Sequence, residues 1–145
     1  MEMTLSRKVL NIAGILDYIA GGFTLLLGAV VIGADVLAKN DPALAQDMPV
    51  DFGEHTVLIV GIALAAGAIF TLVYAHLERV AAKNPAKIMP VWVLSILSVG
   101  FSVFTLISDL TRHAALADMG PNFAGLVFGI LMLVIANNIK KEAGR

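Results

Sequence analysis

The chain has 145 residues, of which 59% are hydrophobic and 14% charged, and its mean hydropathy is +0.88. Soluble domains carry about 25% charged residues, and so short a chain cannot bury this much apolar surface in an aqueous core. The composition therefore indicates that lipid is the solvent. A net charge of −1 provides no basic surface for nucleic acid. Without cysteine the chain has no disulfides, thiolate catalysis or iron–sulfur ligation.

Four apolar stretches are long enough to cross a bilayer, which takes roughly 20 residues each. They cover about 9–33, 54–77, 89–108 and 122–139. We therefore predict an all-α polytopic membrane protein, a four-transmembrane-helix bundle forming a single domain over 1–145. Pro90 and Pro121 stand where the third and fourth helices begin, and Asn84-Pro85 is typical of a tight turn. The first stretch exceeds a signal-peptide core, so we predict a retained helix.

The distribution of lysine and arginine predicts the threading. Only Lys39 and Arg112 fall on one side of the predicted spans, so both termini are expected in the cytoplasm and the protein in the cytoplasmic (inner) membrane. The opposite segments are acidic, which is typical either of a cation-attracting vestibule or simply of segments from which basic residues are kept away. The eight residues on the basic side are Arg7, Lys8, Arg79, Lys83, Lys87, Lys140, Lys141 and Arg145, and the acids opposite are Asp35, Asp41, Asp47, Asp51, Glu54, Asp109 and Asp118.

Small residues recur along every predicted span, and such residues allow membrane helices to approach closely. In the first span they follow alternating spacings of three and four, which keeps one face turned to a neighbour. The third span repeats those spacings at an offset of 81 residues. This repeat indicates either two tandem helical hairpins of the same orientation or only the residue types that membrane helices have in common. The predicted packing residues are Gly14, Gly21, Thr24, Gly28, Gly61, Ala65, Ser102, Thr105, Gly125 and Gly129.

Asp17 is the residue most open to a functional interpretation. It lies nine residues beyond Lys8, about 13 Å deeper along the helix axis. A charged aspartate at a helix centre costs on the order of 2.5–3.5 kcal/mol, so a partner or protonation is expected. The alternatives are a proton- or cation-linked carboxylate, a polar latch to another subunit, and a hydrogen-bonded clip that fixes helix register. Candidate partners at similar depth are Tyr74, His76, Ser95, Ser98, Asn137 and Asn138.

The remaining polar residues show no catalytic or metal-binding pattern. His55 and His113 are predicted on the side opposite His76, so the spacing favours neither a bis-histidine haem nor a zinc site. The hydroxyls of Ser95, Ser98, Ser102 and Thr105 are typical of helix packing, with a narrow polar path as the alternative. Trp92 and Tyr74 are predicted as interface anchors. No catalytic residue, metal or cofactor is predicted.

These observations name no family, although the general features are those of small bacterial four-helix membrane proteins. The favoured interpretation is a non-enzymatic membrane protein that acts through helix packing, as an accessory subunit of a larger membrane complex or as a homo-oligomer. The alternative is a small transporter or channel that uses Asp17. A membrane enzyme or haem protein is the third hypothesis. The expected partners are the lipid bilayer and other membrane helices, with no nucleic acid.

Overall fold

The structure, a computed structural model, describes residues 3–41, 55–112 and 119–144. Within those ranges it contains four α-helices and no strand: α1 (Leu5–Asn40), α2 (His55–Lys83), α3 (Met89–Thr111) and α4 (Gly120–Ala143). All four helices are long and apolar enough to cross a membrane. The described residues therefore agree with the predicted all-α class and with four candidate spans. In lipid a helix is the one open-chain form that pairs its own backbone groups.

Proline and asparagine define the helix starts after α2, as predicted. Pro85 opens a short 3-10 turn, Pro85–Lys87, and the Asn84 side chain accepts a hydrogen bond from the Ala86 backbone N–H at 3.2 Å. α3 and α4 each carry proline in their first turn, where the missing N–H costs nothing. The tight turn predicted at Asn84-Pro85 is therefore confirmed.

The helices extend beyond the predicted membrane spans. α1 has 36 residues, about 54 Å of helix, against a hydrocarbon core of about 30 Å. Asp35 and Lys39, which lie beyond the first predicted span, belong to α1, and Asp109, which lies beyond the third predicted span, belongs to α3. An apolar stretch indicates only the part of a helix that is suited to the hydrocarbon core. The helix itself continues for as long as its backbone hydrogen bonds are formed. Asp47, Asp51, Glu54 and Asp118 lie outside the described residues.

The chain divides into two compact units. The hairpin unit is Ile15–His76, and the terminal unit consists of Met1–Gly14 and Leu77–Arg145. α1 and α2 therefore contribute residues to both units, whereas α3 and α4 belong to the terminal unit alone.

In the hairpin unit, glycines allow α1 and α2 to pack as an antiparallel pair. A Cβ atom built on Gly21 would lie 3.3 Å from the Ala68 carbonyl oxygen, and one built on Gly28 would lie 3.0 Å from the Ala65 backbone nitrogen. On α2, a Cβ at Gly61 would lie 2.7 Å from Ile32 Cγ1. At Gly28 all the neighbouring atoms belong to the α2 backbone, so even a methyl group there would push the helices apart.

In the terminal unit, α3 packs antiparallel to α4. A Cβ on Gly129 would lie 3.2 Å from Val99 Cγ2, and the Asn122 amide donates to Asp109 Oδ2 at 2.5 Å near the other end of the pair. The core of this unit is fully or almost fully buried. It comprises Leu10, Ala81, Ala82, Ile88, Val91, Met132, Ala136 and Ile139.

Apart from Arg112, which follows the last turn of α3, the described basic residues of the terminal unit lie at one end of it, which we call the basic end. There Thr4 Oγ1 donates to Glu142 Oε2 at 3.1 Å, so the beginning of α1 meets the end of α4. The first turn of α1 also meets the end of α2 through Arg7. The basic end contains Arg7, Lys8, Arg79, Lys83, Lys87, Lys140 and Lys141.

Candidate functional site

Glu78 is a fully buried carboxylate in the terminal unit, with 0% of its surface exposed. It lies in the last two turns of α2, among core residues that include Ala81 and Ala82. Taking a carboxylate out of water is expensive, and an ionisable residue within a membrane helix is a functional-site candidate by default. The functional residues predicted from the sequence do not include Glu78.

A seven-residue repeat of small residues in the sequence of α2 predicts that Glu78 faces inward. The small residues Gly61, Ala68, Ala75 and Ala82 recur every seven residues along α2, and each is buried. Glu78 follows Ala75 by three residues and precedes Ala82 by four. It therefore occupies the second inward position of the repeat. Glu78 lies one residue beyond the second predicted span, which ends at residue 77.

Arg7 fastens α1 to the end of α2 at this level of the terminal unit. Its Nε donates to the Ala82 carbonyl oxygen at 2.7 Å and its Nη2 donates to the Lys83 carbonyl oxygen at 2.8 Å. These are among the last carbonyls of α2, which have no partner within the helix. A guanidinium satisfies both and complements the negative end of the helix dipole.

Asn11 lies at the same level as Glu78. Asn11 is one turn after Arg7 on α1, Glu78 is one turn before Ala82 on α2, and the Arg7–Ala82 bond sets the antiparallel register of the two segments. The Asn11 Oδ1 atom is buried and has no hydrogen-bond partner among the described residues. A buried carboxylate and a buried amide oxygen without a partner among the described residues thus lie at one level of the terminal unit.

The hydroxyls of α3 bond to their own helix. Ser95 is 1% exposed and donates to the Val91 carbonyl oxygen at 2.8 Å. Thr105 Oγ1 donates to the Ser102 carbonyl oxygen at 2.9 Å. Such bonds are typical of hydroxyls that allow close helix packing.

The residues predicted around Asp17 fall into different units. Asp17 and His76 belong to the hairpin unit, where Asp17 is half-buried and exposed His76 shares a hydrogen bond of 3.2 Å between its Nδ1 and the Tyr18 hydroxyl. Buried Ser95 and three exposed residues belong to the terminal unit, the exposed ones being Ser98, Asn137 and Asn138. The role of Asp17 stays a prediction.

The predicted packing residues differ in how closely other helices approach them. Gly14, Gly21, Gly28, Gly61 and Gly129 are buried. Gly125 is exposed, and a Cβ there would lie 3.8 Å from Ser102 Oγ, an ordinary contact. Thr24, Ala65, Ser102 and Thr105 are half-buried.

A second buried carboxylate lies towards the end of α1. Asp35 is 0% exposed, and its Oδ2 accepts a hydrogen bond from Lys39 Nζ at 2.6 Å, one helical turn away. Its Oδ1 is buried without a hydrogen-bond partner among the described residues. The ion pair satisfies half of the carboxylate and supports the extension of α1 beyond its apolar stretch.

Across the described ranges, no three His, Asp or Glu side chains are grouped in a way that could hold a metal ion. The side chain of His55 and the whole of His113 lie outside the described part of the chain.

No family model, curated protein or solved structure matches this chain.

Proposed function

We propose that this protein is a non-enzymatic integral membrane protein that acts by associating with other membrane helices, either its own copies or those of a larger complex. The observation that carries the proposal is that large apolar side chains lie on the exterior of the helices while polar side chains bond within the chain. Large apolar residues are exposed on all four helices, for example Phe23 at 64%, Phe70 at 59% and Phe101 at 69%. Polar groups such as Arg7 and Ser95 bond within the chain. The exterior is thus the surface available for interaction.

Native mass spectrometry from mild detergent tests this proposal. We expect an oligomer or a stoichiometric partner that survives purification. Leucine at Gly33, Gly67 or Gly100 then maps the interface, because a Cβ at these positions meets nothing within 4 Å and internal packing is undisturbed. At least one of the three variants should reduce association. A strictly monomeric protein that retains no partner would overturn the proposal.

We further propose that both termini face the cytoplasm, with the protein in the cytoplasmic membrane. The concentration of lysine and arginine at the basic end supports this orientation. So does the bond between Thr4 and Glu142, which brings the two chain ends together. The chain lacks cysteine, so single cysteines introduced at residues 4 and 142 report sidedness directly. Labelling of either one by an impermeant reagent in intact cells would contradict this orientation.

A second candidate function is proton- or cation-linked transport, and the complete burial of Glu78 favours it. The sequence predicts Asp17 as the carboxylate of such a transporter, so Asp17 and Glu78 are both candidates for this role. A flux assay in proteoliposomes tests the candidate, with protons and monovalent cations as solutes. Loss of flux is expected in Glu78→Gln. Flux equal to wild type in that variant would remove Glu78 from the pathway.

A further inference from the structure

A groove runs along the surface of the terminal unit between α3 and α4, close to the basic end. Its volume is about 340 Å³, and it is lined by Trp92, Ile96, Leu133, Val134 and Asn137. Four of these five side chains are aliphatic or aromatic, and the Asn137 amide is the single polar one. Ile96 and Val134 are 40% and 55% exposed, so the groove opens to the exterior of the helix pair.

A positive charge is held beside this groove. Lys140 Nζ lies 3.6 Å from the centroid of the Trp92 ring, a cation–π contact that restrains the ammonium group. Lys140 follows Asn137 by three residues, which places both on the same face of α4. Lys141 adds a second charge in the same last turn. An apolar groove therefore ends at an amide and a fixed cation.

We propose that this groove binds one anionic glycerophospholipid, with an acyl chain along Ile96, Leu133 and Val134 and the headgroup phosphate at Lys140 and Asn137. The apolar lining suits a hydrocarbon chain and offers little to a polar soluble ligand. The charge complements a phosphate, and basic pockets between membrane helices bind anionic headgroups. Trp92 and Lys140 are also the residue types that prefer the membrane interface. This site is independent of the proposed association and of Glu78.

Trp92 is the only tryptophan in the chain, so its fluorescence reports the occupant of the groove without labelling. The full-length protein is reconstituted into phosphatidylcholine vesicles containing brominated phosphatidylglycerol or, separately, brominated phosphatidylcholine, because bromine on the acyl chains quenches a neighbouring indole. One lysine near a membrane surface is worth about fivefold in attraction for anionic lipid. We therefore expect half-maximal quenching at an about fivefold lower mole fraction of phosphatidylglycerol.

Variants at the groove identify the charge responsible. Lys140→Gln should abolish the preference for phosphatidylglycerol, and Lys140→Arg should keep it because the guanidinium also stacks on the ring. Lys8→Gln removes an exposed charge that does not line the groove, and it should leave the preference unchanged.

Three outcomes would overturn the proposal. Equal quenching by both lipids means that the groove takes bulk lipid without selection. A preference that survives in Lys140→Gln assigns the selectivity elsewhere. Quenching by neither lipid means that a protein helix, from a second copy or another subunit, covers the groove.

Discussion

Replacing Gly28 with leucine is expected to lower the free energy of unfolding by about 3 kcal/mol, the upper range for overpacking a close contact. A Cβ at Gly28 would lie 3.0 Å from the Ala65 nitrogen, 3.2 Å from the Gly61 carbonyl oxygen and 3.3 Å from the Ala65 Cα. All three atoms are backbone, so no side-chain rotation can make room and α2 itself must move away. Gly28→Ala should show a smaller loss, since alanine gains about 1 kcal/mol of helix propensity over glycine. Chemical denaturation in mild detergent, followed by circular dichroism, measures both.

The matched control for this prediction is Gly33→Leu. Gly33 lies on the same helix, and a Cβ there meets nothing within 4 Å. Its substitution should change stability by less than about 0.5 kcal/mol. If Gly33→Leu costs as much as Gly28→Leu, close approach of α1 and α2 is not what Gly28 provides. A general effect of bulk on α1 would then explain both results.

This packing is the part of the fold that could be predicted best from the sequence. Alternating spacings of three and four determine which face of a helix turns inward, whatever the partner is. Gly14, Gly21 and Gly28 follow that rule, and all three are buried. The proline-marked starts of α3 and α4 were equally readable, because proline acts through its own covalent geometry.

Helix ends away from proline were less predictable. Hydropathy predicts that the first membrane span ends at about residue 33, and the helix itself continues to Asn40. Asp35 and Lys39 look like loop residues when taken singly, but four residues apart on a helix they form an ion pair at 2.6 Å. A hydropathy average counts each charged residue as unfavourable. It therefore does not take into account that Asp35 and Lys39 neutralise each other.

The candidate site shows the same limit. Asp17 interrupts an apolar run and is therefore conspicuous in the sequence, whereas Glu78 stands beside Arg79 in a stretch of polar composition. Asp17 is half-buried and Glu78 is fully buried. The core of the terminal unit, in which Glu78 is buried, also contains residues distant in sequence, including Leu10 of α1 and Ile139 of α4. Local composition carries no information about them.

This difference leads to an ordering of mutational effects. Glu78→Ala is expected to lower the free energy of unfolding by about 2–4 kcal/mol, because truncating a large, fully buried side chain leaves a cavity. Glu78→Gln keeps the volume and should cost less. Asp17→Ala should cost less than Glu78→Ala, since half-buried Asp17 leaves a smaller cavity. Denaturation under the same conditions as for the glycine variants gives all three values.

The ordering also separates structure from function at Glu78. Because Glu78→Gln retains the side-chain volume, a folded Glu78→Gln protein that has lost proton or cation flux would assign the carboxylate a role in transport. The same folded protein with unchanged flux would leave Glu78 a structural role beside Arg7 and Asn11. If Asp17→Ala proves the most destabilising of the three variants, the dominant polar site belongs to the hairpin unit after all. In that case the position of Asp17 within an apolar run would predict the more important carboxylate better than the burial of Glu78 does.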